Sequence, residues 1–168
     1  MNFKAHLAAG AVTGAAVATV ALAAGFVDTI GEAGALAALG TGFALFPDLD
    51  TASIPQRWFY RGMAAAIVAL ILTGRWQSAA LLGLVALMPL LHHHRGWTHR
   101  WWAVPLVPLG ALALWRSLAV GGEAWGGSDP LEAARSLWGF LEAHLPAYGA
   151  MTAGYAVHLI ADRLRAGR

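Results

Sequence analysis

Leu91-His92-His93-His94-Arg95-Gly96-Trp97-Thr98-His99-Arg100 holds four of the chain's seven histidines and two of its arginines. Apolar runs flank it on both sides, at 78–91 and 101–120. Ionisable groups set against hydrocarbon are expensive and tend to mark function. What these flanks are therefore decides both the fold and the place of the chemistry.

Composition answers the first question. Charged residues make up 12% of the chain and apolar ones 58%, whereas soluble domains run near ~25% charged. The mean hydropathy is +0.58. Ala, Leu and Gly runs dominate and strand-like alternation is missing, so the expected class is all-α, an integral membrane helical bundle. The 168 residues suit a single membrane-embedded domain, 1–168. Cysteine is absent, which excludes disulfides, thiolate ligands and a cysteine nucleophile. A net charge of +2 gives no broad basic face, so nucleic acid is not an expected partner.

Working outward, the apolar segments expected to cross the membrane are 7–27, 33–46, 62–73, 78–91, 101–120 and 148–164. A span takes about 20 residues, so 33–46, 62–73 and 78–91 are short, and a re-entrant hairpin is the alternative for the last two. Lys4 before the first run also fits a leader peptide, but further apolar runs follow, so a retained first span is expected. Gly10 and Gly14 form a GxxxG pair of the kind that lets helices approach closely. Residues 28–32 read as a polar turn, 51–61 as a loop and 121–128 as a Gly-rich loop. Pro105 and Pro108 should kink or delay the fifth segment. Asp129-Pro130-Leu131-Glu132 is a helix start. Leu131, Ala134, Trp138, Leu141 and Leu145 then recur at helical spacing, which predicts an interfacial amphipathic helix ended by Pro146. His144, on that helix, is read as solvated.

Six crossings with the N-terminus inside place Lys4, Arg57, Arg61, Arg95, Arg100, Arg163, Arg165 and Arg168 on the cytoplasmic side. Arg75, Arg116 and Arg135 fall outside, as the positive-inside rule requires. The same assignment puts His6, Asp48, Asp50, the 92–99 cluster and the His158/Asp162 end at one membrane face. His158 and Asp162 stand at i and i+4 and share a helix face. Pro47 lets a loop aim both Asp48 and Asp50 inward, and His94 and His99 bracket a turn at Gly96. Mixed imidazole and carboxylate donors suit Zn²⁺, Mn²⁺ or Fe better than an all-oxygen cage. Zinc heads this set. His6, Asp48, Asp50, His94, His99, His158 and Asp162 are more donors than one zinc needs, so one or two ions are expected.

In order along the chain, His6, Pro47-Asp48-Leu49-Asp50, His94-Arg95-Gly96-Trp97-Thr98-His99 and His158-Leu159-Ile160-Ala161-Asp162 resemble the membrane-bound metal-dependent hydrolases. These are also described as LexA-binding, inner-membrane-associated hydrolases. The His-Arg-Gly-x-Thr-His block is the specific element; that family usually continues with serine, where this chain has Arg100. The resemblance implies a metal-dependent hydrolase in the inner membrane, multi-pass with cytoplasmic termini. Its site would act on an amphiphilic substrate such as a lipid phosphoester. A metal ion would acidify water, and His93 or a carboxylate would serve as base. Arg95 offers a fork for phosphate or carboxylate oxygens, and Thr98 is the third catalytic candidate. A di-iron oxidase is disfavoured because its HxxxH and HxxHH spacings do not occur. A metal carrier or a non-enzymatic membrane regulator is the alternative.

Because the chain lacks cysteine, single cysteines report topology on a clean background. Ser53→Cys and Ser128→Cys should label from opposite sides of the membrane with an impermeant maleimide. Labelling of both from one side would discard the six-crossing arrangement.

Overall fold

The computed structural model describes residues 3–50, 53–87, 96–120 and 130–166. Among them are seven α-helices and no strand: α1 (Phe3–Ala23), α2 (Ile30–Phe43), α3 (Ile54–Leu72), α4 (Trp76–Leu87), α5 (Ala103–Val120), α6 (Pro130–Ala143) and α7 (Leu145–Ala166). Two short 3₁₀ turns, Phe46–Asp50 and Trp97–His99, interrupt the series and pack on one another. The stretches 88–95, containing His92, His93, His94 and Arg95, and 121–129, containing Asp129, lie outside the described residues, as does the Asp50 side chain.

Several helix ends differ from expectation for local reasons. The segment 28–32 is a capping box rather than a free turn. Thr29 Oγ1 accepts from Glu32 N–H, and the Glu32 carboxylate accepts from the Asp28 and Thr29 amides, so α2 begins at Ile30. Residues 54–61 are helical and not loop, because Ser53 caps α3 by accepting from Gln56 N–H and Pro55 sits in its first turn. Pro146 opens α7 instead of merely ending α6. Pro105 falls in the first turn of α5, where its missing N–H costs nothing, and Pro108 lies one turn further in. Gly25 and Gly74 close α1 and α3 at φ of 72° and 73°, a left-handed conformation that side chains resist.

The core is a crossing of α1, α2 and α7 on small residues. The buried stripe of α1 is His6, Gly10, Gly14, Ala18 and Ala21. A Cβ on Gly14 would stand 2.5 Å from the Ala37 carbonyl oxygen, and one on Gly10 2.5 Å from Ala44 Cβ. One on Gly40 would meet the Gly14 backbone at 2.9 Å, and one on Gly154 would overlap the Gly40 carbonyl. Three backbones therefore touch here, as expected where dispersion rather than water exclusion drives association. Gly10 and Gly14 are thus an interhelical face, turned to α2.

α5 packs on α7, and α3 pairs with α4 as a hairpin joined to the rest chiefly through the 46–50 turn. Phe46 fixes that turn. Its ring lies 5.7 Å from Phe43, 6.0 Å from Tyr155 and 6.5 Å from Phe59, joining α2, α3 and α7. The outer surface is apolar, with Leu72 81% exposed and Val12 71% exposed. Among the described residues one helix, α1, is long and apolar enough to cross a membrane; α4 and α5 are shorter apolar helices. α6 touches α7 and is tied to α5 by Arg116, which donates to the Ser136 carbonyl and hydroxyl at 3.0 and 2.7 Å. His144 is held too: its Nδ1 lies 2.8 Å from the Phe140 carbonyl and its ring stacks on Phe140.

Gly154→Ala should destabilise the detergent-solubilised protein by about 1–3 kcal/mol, the cost typical of overpacking, read as a lower thermal midpoint. Gly149→Ala, on the same helix but with open space around it, should leave stability unchanged or raise it by up to about 1 kcal/mol, so its midpoint should not fall. Equal effects of the two would refute the backbone contact.

Candidate metal centre

Each side chain of the candidate centre is placed by a different local device. His6 continues the glycine stripe of α1 one turn beyond Gly10. His158 and Asp162 continue the Gly154 face of α7 at successive i+4 steps. Asp48 sits in the 3₁₀ turn between buried Pro47 and Leu49. Ser53 Oγ donates to the Asp48 carbonyl at 2.9 Å and Gln56 Nε2 to the Leu49 carbonyl at 3.1 Å, which ties that turn to the start of α3. His99 rides on the second 3₁₀ turn. Tyr155, fully buried, donates its hydroxyl to the Thr98 carbonyl at 2.6 Å and holds this turn against α7. On the other side of the turn, Arg163 stacks over Trp101 at 4.7 Å, and Trp97 stacks on Trp102 at 5.8 Å.

These devices bring His6, Asp48, His99, His158 and Asp162 together. His6 Nε2 lies 3.1 Å from Asp162 Oδ1. His158 Nε2 lies 3.6 Å from both Asp162 Oδ2 and Asp48 Oδ1, and His99 Nε2 lies 3.8 Å from Asp162 Oδ2. Two overlapping triads, His6/His158/Asp162 and Asp48/His99/His158, keep their donor atoms within 4.8 Å of one another. The histidine side chains are 0–14% exposed and the carboxylates 20–23%, so the pocket is floored by imidazole and opens at the carboxylates. His94, Arg95 and His93 lie outside the described residues, and no placement is given to the Asp50 carboxylate.

The His158 tautomer follows from its partner. Its Nδ1 lies 2.7 Å from the Ala44 carbonyl, which can only accept, so Nδ1 carries the proton. In the neutral ring the lone pair is then on Nε2, which is buried without a hydrogen-bond partner among the described residues and faces two carboxylate oxygens. A lone pair facing anions is repulsive unless a cation lies between them. The His158 separations of 3.6 Å suit a shared ion better than a proton: N–H···O bonds run about 2.7–3.2 Å, whereas donors around one tetrahedral ion at ~2.1 Å stand roughly 3.4 Å apart. Thr98 Oγ1 lies 3.1 Å from His99 Nδ1 and can accept from it, leaving the His99 lone pair on Nε2 as well. Thr98 is itself buried, so its hydroxyl addresses the His99 ring.

Tyr155, Arg163 and the Ala44 carbonyl were not singled out from sequence. Tyr155 was within reach, since it lies three residues before His158 on the same helix face. The carbonyl was not, because a backbone acceptor leaves no trace in residue identity.

A family model described as YdjM inner membrane protein matches residues 1–167. No curated protein and no solved structure gives a significant match.

Tyr155→Phe should cost about 0.5–1.5 kcal/mol, the worth of one neutral hydrogen bond, and should speed amide exchange at 97–100 more than in α1. Unchanged exchange in that turn would show that Tyr155 does not hold it.

Proposed function

The chain belongs to the YdjM inner membrane protein family, and from that premise we propose that it is a metal-dependent hydrolase. In this proposal its site lies at the cytoplasmic face of a multi-pass bundle, with both termini cytoplasmic, and acts on an amphiphilic substrate, best a lipid phosphoester. Residence in the inner membrane follows from the family itself. The observation that carries the proposal is the His158 ring: Nδ1 bound to a main-chain carbonyl, Nε2 buried and turned on two carboxylates. Hydrogen bonding of the distal nitrogen to a carbonyl is how proteins orient metal-binding histidines.

His158, His99, Asp48 and Asp162 would hold the ion, with Zn²⁺ or Mn²⁺ suited to this mixed donor set. When bound, such an ion supplies Lewis acidity that polarises a phosphoryl oxygen and acidifies water. The chain's own groups do the rest. Thr98 and Ala44 fix the two ring tautomers. Tyr155 and the Arg163–Trp101 pair hold the His99 turn against α7. His93 or a carboxylate takes the proton, and Arg95 grips the anionic group of the substrate. A lipid substrate is favoured by what surrounds the site. Leu7 beside His6, and Ile160 and Leu164 beside Asp162, are exposed apolar side chains at the level of the ligands. Exposed Trp101 and Trp102 border the same end, the position tryptophan takes at a membrane–water interface. α6, with Leu131 and Trp138 exposed, would lie on the opposite membrane surface.

Protein purified without chelator should contain Zn or Mn. Asp48→Asn and His99→Ala should lower metal content and thermal midpoint together, since binding to the folded state adds to its stability. Both should abolish turnover on a panel of lipid phosphoesters. Thr98→Ala should weaken metal affinity by roughly 10–100-fold, as other partners of metal-binding rings do. Wild-type protein that holds no metal and does not respond to added Zn²⁺ or Mn²⁺ would reject the proposal. Full cellular function of Asp48→Asn would favour a non-enzymatic regulator instead.

A further inference from the structure

His6 and His158 are stacked, with ring centroids 3.8 Å apart and planes 15° from parallel. Both rings present Nε2 to the same carboxylate, but to different oxygens of it. His6 Nε2 lies against Asp162 Oδ1, and His158 Nε2 faces Oδ2. An imidazole nitrogen binds an ion along its in-plane lone pair, at about 2.0–2.1 Å. Rings stacked face to face with the same edge forward send their lone pairs along nearly parallel lines. An ion on the His158 line therefore stands out of the His6 plane, so each ring is better served by an ion of its own.

We propose that the centre takes two divalent ions, the second held by His6 Nε2 and Asp162 Oδ1 beside the one held by His158, His99, Asp48 and Asp162 Oδ2. Asp162 would offer one oxygen to each. The spacing agrees, because ions on parallel lines from stacked rings are separated by about the stacking distance, 3.8 Å, and two-metal hydrolytic sites are spaced by about 3.5–4 Å. The burial of His6 points the same way. Its ring is 1% exposed, and neither nitrogen has a hydrogen-bond partner among the described residues. A buried polar group in that state calls for a ligand. Nε2 is the nitrogen turned to Asp162, so the ligand sits on the carboxylate side. An ion pair of this kind clamps both the attacking and the leaving oxygen of an in-line phosphoryl displacement.

The inference rests on the metal reading given above, and the experiment separates the two. The full chain in detergent is stripped with chelator, dialysed against Mn²⁺ or Zn²⁺ alone, and assayed for ions per chain. Electron paramagnetic resonance is recorded on the Mn²⁺ form. Two ions per chain and an exchange-coupled Mn²⁺ pair are expected. His6→Ala and His6→Gln should each retain one ion, with the hyperfine pattern of isolated Mn²⁺. One ion per chain in the wild type, or two ions kept by both His6 variants, overturns the second site and leaves the first standing. No ion in the wild type overturns both. His6→Gln keeps most of the side-chain volume, so it carries the test if His6→Ala does not accumulate.

Discussion

Three helix backbones meet at Gly14, Gly40 and Gly154 with no room for a methyl group between them, and the histidine–aspartate cluster is built outward from that contact. On α1 the step from Gly14 runs through Gly10 to His6; on α7 the step from Gly154 runs through His158 to Asp162; on α2 the step from Gly40 ends at Ala44. Each step is four residues, so the helix faces that touch at the glycines are the faces that carry His6, His158 and Asp162. Where the glycines allow contact, the side chains one and two turns further along come within bonding range. The His6–His158 stack and the His158–Ala44 hydrogen bond are both products of this crossing. In lipid such a crossing has little hydrophobic drive, and close packing supplies the association.

α7 joins the two halves of the pocket. Tyr155, His158, Asp162 and Arg163 alternate between holding the His99 turn and offering donors to it. The helix-borne members of the cluster are set by a rigid interface. The loop-borne ones, Asp48 and His99, depend on short 3₁₀ turns, and each turn has its own fastening: Phe46 and Ser53 for the first, Tyr155 and the Trp101–Arg163 stack for the second. The α3–α4 hairpin reaches the site through the first turn, so its influence on Asp48 passes through Phe46, Ser53 and Gln56.

Much of this was legible from residue order. The helical class follows from Ala/Leu/Gly runs without alternation, and the arginine distribution alone groups His6, Asp48, His99, His158 and Asp162 at one end. Helix starts were less legible. Hydropathy alone marks 28–32 and 51–61 as polar breaks, yet Thr29–Glu32 and Ser53–Gln56 are caps that begin helices inside them. The stack of His6 on His158 was out of reach, because it depends on how closely α1 approaches α7. That distance is set by glycines that read equally well as incidental spacing. Membrane crossing by each of the short segments also exceeds what pattern can give, since a 14-residue helix such as α2 is ~21 Å long.

The Ala44 carbonyl has a consequence for how this chain can vary over time. The proton on His158 Nδ1 is held by a main-chain oxygen, and no single substitution at position 44 deletes an oxygen that every amino acid carries. Inheritance can therefore change residue 44 among the few types small enough for a fully buried position without altering the tautomer of His158. The contact of His99 Nδ1 with Thr98 enjoys no such protection, because its oxygen is a side-chain hydroxyl, which one nucleotide change can remove. Mutational fragility in this pocket is thus unevenly distributed: the imidazole at its floor is genetically buffered, and the one on its loop is not.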